Sequence, residues 1–335
     1  MNRALMLRLH RTIGLAVAAL LLVQALSGAM LVYRGPLARL IDPVAMTSGK
    51  AGPAVSVGEV IMTANRTTAG YAVTRLFAPD ADGATYFAQM GNRDGAVLRS
   101  GNVLAFPVEA ALQIHYRLMA GTVGIAVIGL NGLALLAMVA SGLAYWWPKR
   151  GKMGKALAIR WTLSPKLVLR QCHRTAAVLL SAFLLFMATT GLLLVVPELL
   201  SKGAANAPSA ASAATIDRSL MLAQSAFPDA TLRDLRIDGD RLIVNFNAPE
   251  HNARAIHRVI VTLAQPRIVS AMRAQNNPAS WMTVLPLHAG DAFGPIGQPL
   301  LLITALALAA LCVSGLVMWW QARRARRPAP ARKSV

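Results

Sequence analysis

The sequence predicts an α-helical membrane protein: four transmembrane helices in two parallel repeats, each repeat carrying a small α+β module outside the membrane. Three observations predict it: an apolar composition, four long apolar runs, and a sorting of charge by sign between those runs. Of 335 residues, 55% are hydrophobic and only 14% charged, with a mean hydropathy of +0.49, outside the range of ordinary soluble domains. A net charge of +20 raises nucleic acid as a partner. The basic residues, however, sit beside apolar runs rather than on a polar face studded with aromatics, so the expected partner is membrane lipid and not nucleic acid. Cys172 and Cys312 have neither metal-ligand spacing nor the density of a disulfide scaffold.

Crossing a hydrocarbon core takes about 20 helical residues, and the runs at 13–32, 123–147, 175–196 and 299–320 are each long enough. Arg3, Arg8 and Arg11 precede the first run as they would in a secretory signal. That run exceeds the usual signal core of about 7–15 residues and no A-x-A site follows it, so it reads as a retained helix.

The N-terminus, the segment 148–174 and the tail after Trp320 carry 17 Lys or Arg and no acid. All 14 acidic residues fall in 33–122 and 197–298. Lys and Arg near helix ends mark the cytoplasmic side, so both termini are expected in the cytoplasm, with the two acidic stretches outside. Trp146-Trp147 and Trp319-Trp320 close the second and fourth runs at the inner interface, where indoles prefer to sit.

The outward stretches have structure of their own. In the first, 55–66 has helical spacing, and 71–77, 85–90 and 96–100 alternate like strands separated by Asp-Gly turns. The second repeats the order, with a helix at 215–227 and strands at 232–237, 241–247 and 255–262. The Ala/Ser-rich 203–214 reads as a flexible lead-in and 323–335 as a disordered basic tail. The chain thus divides into a first span (1–33), a module (34–114), a second span (115–148), a basic loop (149–172), a third span (173–197), a second module (198–287), a fourth span (288–321) and the tail (322–335).

A repeat is visible at single residues. His10-Arg11-Thr12 recurs as His173-Arg174-Thr175, and at the same offset Ser27-Gly28 recurs as Thr190-Gly191. At a second constant offset His115, Gly121, Gly124, Ser141-Gly142 and Trp146-Trp147 recur as His288, Gly294, Gly297, Ser314-Gly315 and Trp319-Trp320. Each half runs out and back, so the halves share an orientation and are related by a two-fold axis along the membrane normal. His10 and His173 then converge at the cytoplasmic boundary, and His115 and His288 near the outer one. A single histidine at a helix end is ordinarily an interfacial residue bonded to water. Four of the six histidines in two repeat-related pairs point instead to ligands, because ionisable groups at the membrane are costly and imidazole is the commonest metal ligand.

Zinc wants three or four protein ligands, and apart from Cys172, which adjoins His173, no Cys, Asp or Glu lies near His10 or His173 in sequence to complete such a set. Haem needs only axial ligands from the protein, and an apolar helix bundle suits its macrocycle. Two bis-histidine haem b groups are expected; no C-x-x-C-H for covalent attachment is present. Gly142 and Gly315 lie near the inner face and Gly28 and Gly191 near the outer, where they either make room for the macrocycles or only let helices pack closely. Arg11 and Arg174, and Arg117 at the outer site, pair with haem propionates or, for the first two, serve only as topology determinants.

These features together resemble the PepSY-associated transmembrane family, whose helices carry Leu-His-Arg starts like Leu9-His10-Arg11, Ser-Gly or Thr-Gly pairs, and Trp-Trp ends followed by basic residues. Nearly the whole chain is covered, with Cys172 where Leu is usual before His173. The resemblance implies that the outward modules are PepSY-like and periplasmic, and that the chain is a ferric siderophore reductase of the inner membrane, with haem held by His10, His115, His173 and His288. The activity it implies is transmembrane reduction of an Fe(III)-siderophore or similar ferric chelate, with release of Fe(II). No G-x-G-x-x-G follows a strand, and the cytoplasmic loop is too short for a nicotinamide or flavin domain. The donor is therefore a quinol or a separate cytoplasmic reductase. His251, His257 and Trp281 are candidates for substrate contact, with exposed module histidines as the simpler reading of the first two. The competing class is a non-redox membrane protein whose modules bind peptides or regulate a peptidase, which leaves the matched histidines unexplained.

Overall fold

The computed structural model describes residues 2–41, 56–67, 70–78, 86–91, 97–98, 107–200 and 211–324. The Asp-Gly turns at 82–83 and 94–95, most of the lead-in (203–210) and most of the tail (325–335) lie outside the described residues.

Among the described residues four helices are long and apolar enough to cross a membrane: α1 (Arg3–Val32), α5 (Gly121–Trp146), α7 (Pro165–Leu200) and α10 (Gly297–Arg324). The chain is an α-helical, multi-pass membrane protein. A helix satisfies its backbone internally, which hydrocarbon demands. All four apolar runs fall inside these helices except Trp147, which caps α5. Polar turns extend them: the Asn2 side chain accepts from the Ala4 and Leu5 amides and starts α1 ahead of its apolar run. Likewise α7 begins at Pro165, in the first-turn position that suits proline. Both α1 and α7 pack against α5 and against α10, so α1 and α7 lie across the bundle from each other. Leu21, Leu135, Ala188 and Cys312 form its central contact.

Between the spans lie α2 (Arg34–Ile41), α3 (Val57–Thr67), α4 (Pro107–Arg117), α6 (Met153–Leu157), α8 (Ala213–Gln224), α9 (Trp281–His288) and seven strands. These are β1 (Ala72–Phe77), β2 (Phe87–Gly91), β3 (Val97–Leu98), β4 (Leu232–Asp238), β5 (Arg241–Asn247), β6 (Ile256–Thr262) and β7 (Arg267–Met272). The expected strands are present, and β7 is additional. Two separate modules were expected. Instead all seven strands form one antiparallel sheet in the order β3-β2-β1-β4-β5-β6-β7. Pairing of β1 with β4 joins the two segments, with Arg75 opposite Arg236, Leu76 opposite Leu235 and Phe77 opposite Asp234. One core seals them, in which Ile61, Val73 and Leu76 pack with Ile216, Leu235, Val244 and Val259. Strand pairing leaves an unsatisfied edge wherever it stops, and the join removes one edge from each half. Helices α3 and α8 cover the apolar face. At their crossing a Cβ on Gly58 would overlap the Ala213 carbonyl.

Candidate functional site

The histidines reach the site by two routes. His10 and His173 sit directly on α1 and α7, near the ends far from the sheet. His115 and His288 end the short helices α4 and α9, which pack on α1 and α7. After His115 the chain doubles back through Leu118 and Met119, both with positive φ (48° and 53°), and Gly121. Left-handed backbone at two non-glycine residues is strained, and it persists here where it returns the chain from α4 into α5. The corner is tight: a Cβ on Gly124 would overlap the Arg117 carbonyl, and one on Gly297 would overlap that of Gly290.

Each histidine seats on a hydroxyl-glycine pair of another helix. His10 Nδ1 lies 2.9 Å from the Met138 carbonyl and 3.4 Å from Ser141 Oγ. His173 Nδ1 lies 2.7 Å from Ser314 Oγ. His115 Nδ1 lies 3.0 Å from the Gln24 carbonyl and 3.2 Å from Ser27 Oγ, and His288 Nδ1 lies 2.9 Å from Thr190 Oγ1. The glycine that follows each hydroxyl residue lets the ring approach: a Cβ would meet the ring Cε1 at 3.2 Å from Gly142, 2.9 Å from Gly28, 3.3 Å from Gly191 and 3.7 Å from Gly315. Sequence reasoning marked these dipeptides and their depth but assigned the glycines to macrocycle room or helix packing. Their observed contact is with the histidines themselves. The repeat ties each dipeptide to the histidine of its own segment, whereas the histidine it seats belongs to the other segment of the same half, so the spacing did not mark this contact.

Anchoring through Nδ1 fixes ring orientation and leaves Nε2 available to a ligand. His115 and His288 face one another with ring centroids 6.4 Å apart and planes tilted by 43°. His10 and His173 lie within electrostatic reach of each other. Among the described residues no three His, Cys, Asp or Glu gather as a metal site, so each place offers two imidazoles.

A cavity of about 1880 Å³ runs from the bundle centre past His115 and His288 to the sheet. Its lower wall uses residues at matching offsets from the two halves, among them Leu21 with Leu184, Ala25 with Ala188 and Asn131 with Thr304. Asn131 Oδ1, Gln24 Oε1 and Arg117 Nε are buried there without a hydrogen-bond partner among the described residues.

Arg11 is exposed beside Arg8. Arg174 donates to the Ala158 carbonyl at 3.2 Å, and its Nε is buried without a partner. Trp281 lines the cavity, and His251 and His257 do not. His257 is held in the fold instead: it stacks on Phe227 at 4.2 Å, accepts from the Ala274 amide and meets Glu250 at 2.9 Å. Sequence reasoning missed Arg75, Arg233, Arg236 and Arg258, which line the upper cavity. Alternation of Arg75, Arg236 and Arg258 with core residues along their strands was the available sign, whereas Arg233 sits at the irregularity between Leu232 and Asp234.

Residues 7–322 match a family described as the PepSY-associated TM region. No curated protein matches the chain.

Proposed function

The chain belongs to the PepSY-associated transmembrane family, and from that premise we propose that it is a haem b electron conduit that reduces a ferric chelate on the periplasmic side of the bacterial inner membrane. The observation that carries this reading is the four histidines, each tied through Nδ1 with Nε2 left over, of which His115 and His288 meet ring to ring. The residues fit haem. The ring centroids of His115 and His288 stand 6.4 Å apart, which leaves room for one metal ion between them. Two protein ligands suffice when a porphyrin brings the other four, and the cavity beside that couple is largely apolar below, with Asn131 and Thr304 as polar exceptions, and large enough for a macrocycle.

In this reading the two halves are repeats about a pseudo-two-fold axis. His10 with His173 hold one haem b near the cytoplasm, and His115 with His288 hold the other near the periplasm. Bound there, each haem supplies one-electron oxidation and reduction at its iron. Ser141, Ser314, Ser27 and Thr190 set the ring planes, Arg11 and Arg174 pair with propionates at the inner site, and the apolar bundle excludes water. The basic loop and the termini face the cytoplasm by their Lys and Arg. The substrate is an Fe(III)-siderophore or similar chelate in the upper cavity; it gains one electron per iron, and Fe(II) leaves its hard oxygen ligands more readily. Electrons come from a quinol or a separate cytoplasmic reductase.

Liposomes holding the purified chain and an enclosed reductant, with ferric chelate and a ferrous-iron dye outside, test the reading. Dye signal that needs the chain and disappears in His10→Ala and in His288→Ala is expected. Signal no greater than in chain-free liposomes contradicts it.

A further inference from the structure

The sheet has two unlike faces. Leu76, Leu235, Val244 and Val259 point into the core under α3 and α8. Their alternating neighbours therefore point the other way, and these are Arg75, Asp234, Arg236, Asn245 and Arg258. All five line the cavity above His115 and His288. Arg75 stands directly opposite Arg236, and like charges directly opposite destabilise a sheet. One carboxylate, Asp234, lies beside Arg75 to offset this repulsion.

Positive charge dominates the cavity wall, with seven arginines against three carboxylates. Asp234 is already occupied, accepting from Arg75 Nε at 3.0 Å and Asn245 Nδ2 at 2.9 Å. Arg258 Nε donates to Asn245 Oδ1 at 3.0 Å, which holds the fork in place. Burial lowers the Arg233 and Arg258 guanidinium pKa values, and Arg75 beside them adds to the fall. Aromatic rings complete the wall: Arg75 lies over Phe77 at 4.5 Å and Arg233 over Trp281 at 5.2 Å. Crowded, partly desolvated guanidinium groups on a fixed sheet form a receptor for carboxylates, which they bind bidentately. The excess charge also concentrates anions and repels cations at the cavity mouth.

We propose that the arginine face of the sheet recognises the anionic groups of the substrate, and that the ferric chelate taken by this chain is a polycarboxylate complex of net negative charge. This rests on the ferric-chelate reading above and narrows it to one charge class. The same arginine chemistry also suits the propionates of a haem held by His115 and His288, and the test separates the two sources.

Gallium(III) citrate, which has the charge and shape of a ferric carboxylate chelate but is not reduced, is titrated into the full-length chain in detergent. A gallium complex of a cationic trihydroxamate is titrated in parallel. The anionic complex is expected to bind about tenfold or more tightly than the cationic one, the equivalent of one or more lost charged hydrogen bonds, with a preference that shrinks as salt rises. In Arg236→Gln/Arg258→Gln the anionic complex loses about tenfold or more while haem absorbance stays at the wild-type level. Equal binding of the two complexes by the unmodified chain overturns the proposal without recourse to any variant. Loss of haem absorbance in the variant with gallium citrate binding intact also overturns it, and assigns the arginines to propionates. Because gallium undergoes no reduction, a failure here leaves the electron-conduit reading standing, and a failure of ferric reduction leaves this binding result standing.

Discussion

His115 and His288 meet across the bundle with their ring centroids 6.4 Å apart, and each is tethered through Nδ1 to a hydroxyl that precedes a glycine, Ser27 for one and Thr190 for the other. The same construction recurs at the far end, where Ser141-Gly142 seats His10 and Ser314-Gly315 seats His173. Four repetitions of one device at two depths are hard to reconcile with histidines that merely face water, and they give the account its sharpest consequences.

The tethers are not equal. His10 and His115 each have a backbone carbonyl, Met138 and Gln24, beside the hydroxyl, whereas His173 and His288 are described with the hydroxyl alone. Removing the partner of a ligating histidine typically costs about tenfold to a hundredfold in affinity. Ser314→Ala and Thr190→Val are therefore expected to weaken haem retention by that order, and Ser141→Ala and Ser27→Ala by much less. Haem loss to an apo-acceptor protein, followed by absorbance, measures the four rates. Four rates equal to that of the unmodified chain would show that the hydroxyls do not orient the rings.

Glycine substitutions should also divide. An added Cβ at Gly28 falls 2.9 Å from His115 Cε1, a distance at which the ring must shift, whereas at Gly315 it falls 3.7 Å from His173, ordinary contact. Gly28→Ala is expected to perturb the spectrum of the haem near the sheet and Gly315→Ala to leave both haems as they are. Visible absorbance and electron paramagnetic resonance of the two variants check this, and a silent Gly28→Ala argues against the seat.

The join between the sheet halves depends on Asp234, which is 2% exposed and bonded to Arg75 and Asn245. Removing the carboxylate leaves arginines facing each other without their counter-charge. Because Arg75 is itself 40% exposed, the cost is set below that of a fully buried pair, at about 2 kcal/mol. Thermal unfolding of Asp234→Ala should begin at the sheet, read by far-ultraviolet dichroism, with haem absorbance lost later. An unchanged melting curve would mean the ion pair does not hold the join.

Much of this was legible in the sequence because the bilayer imposes a length on apolar runs. The ends were not: α7 continues back to Pro165 through Lys166 and Arg170, where polar residues keep helical form outside the hydrocarbon. Alternation exposed six strands but not β7, an edge strand half of whose residues are exposed. Pairing of Leu76 with Leu235 joins segments far apart in the chain, a tertiary choice that local pattern does not encode. The histidine couples were visible through the repeat. What seats them was only half visible, because the offset between Ser27 and His115 becomes a contact only once α4 folds back onto α1. The arginines of β1, β4 and β6 looked like the solvated half of amphipathic strands, and the fold turns that half toward the bundle.

The most direct test is the haem content of the detergent-purified chain from haem-replete cells, by dithionite-reduced absorbance and pyridine haemochrome assay. The account predicts a red protein with a low-spin cytochrome b spectrum and two haems per chain, falling to one in either His10→Ala or His288→Ala. Colourless protein, or haem content unaltered by both substitutions, would contradict it.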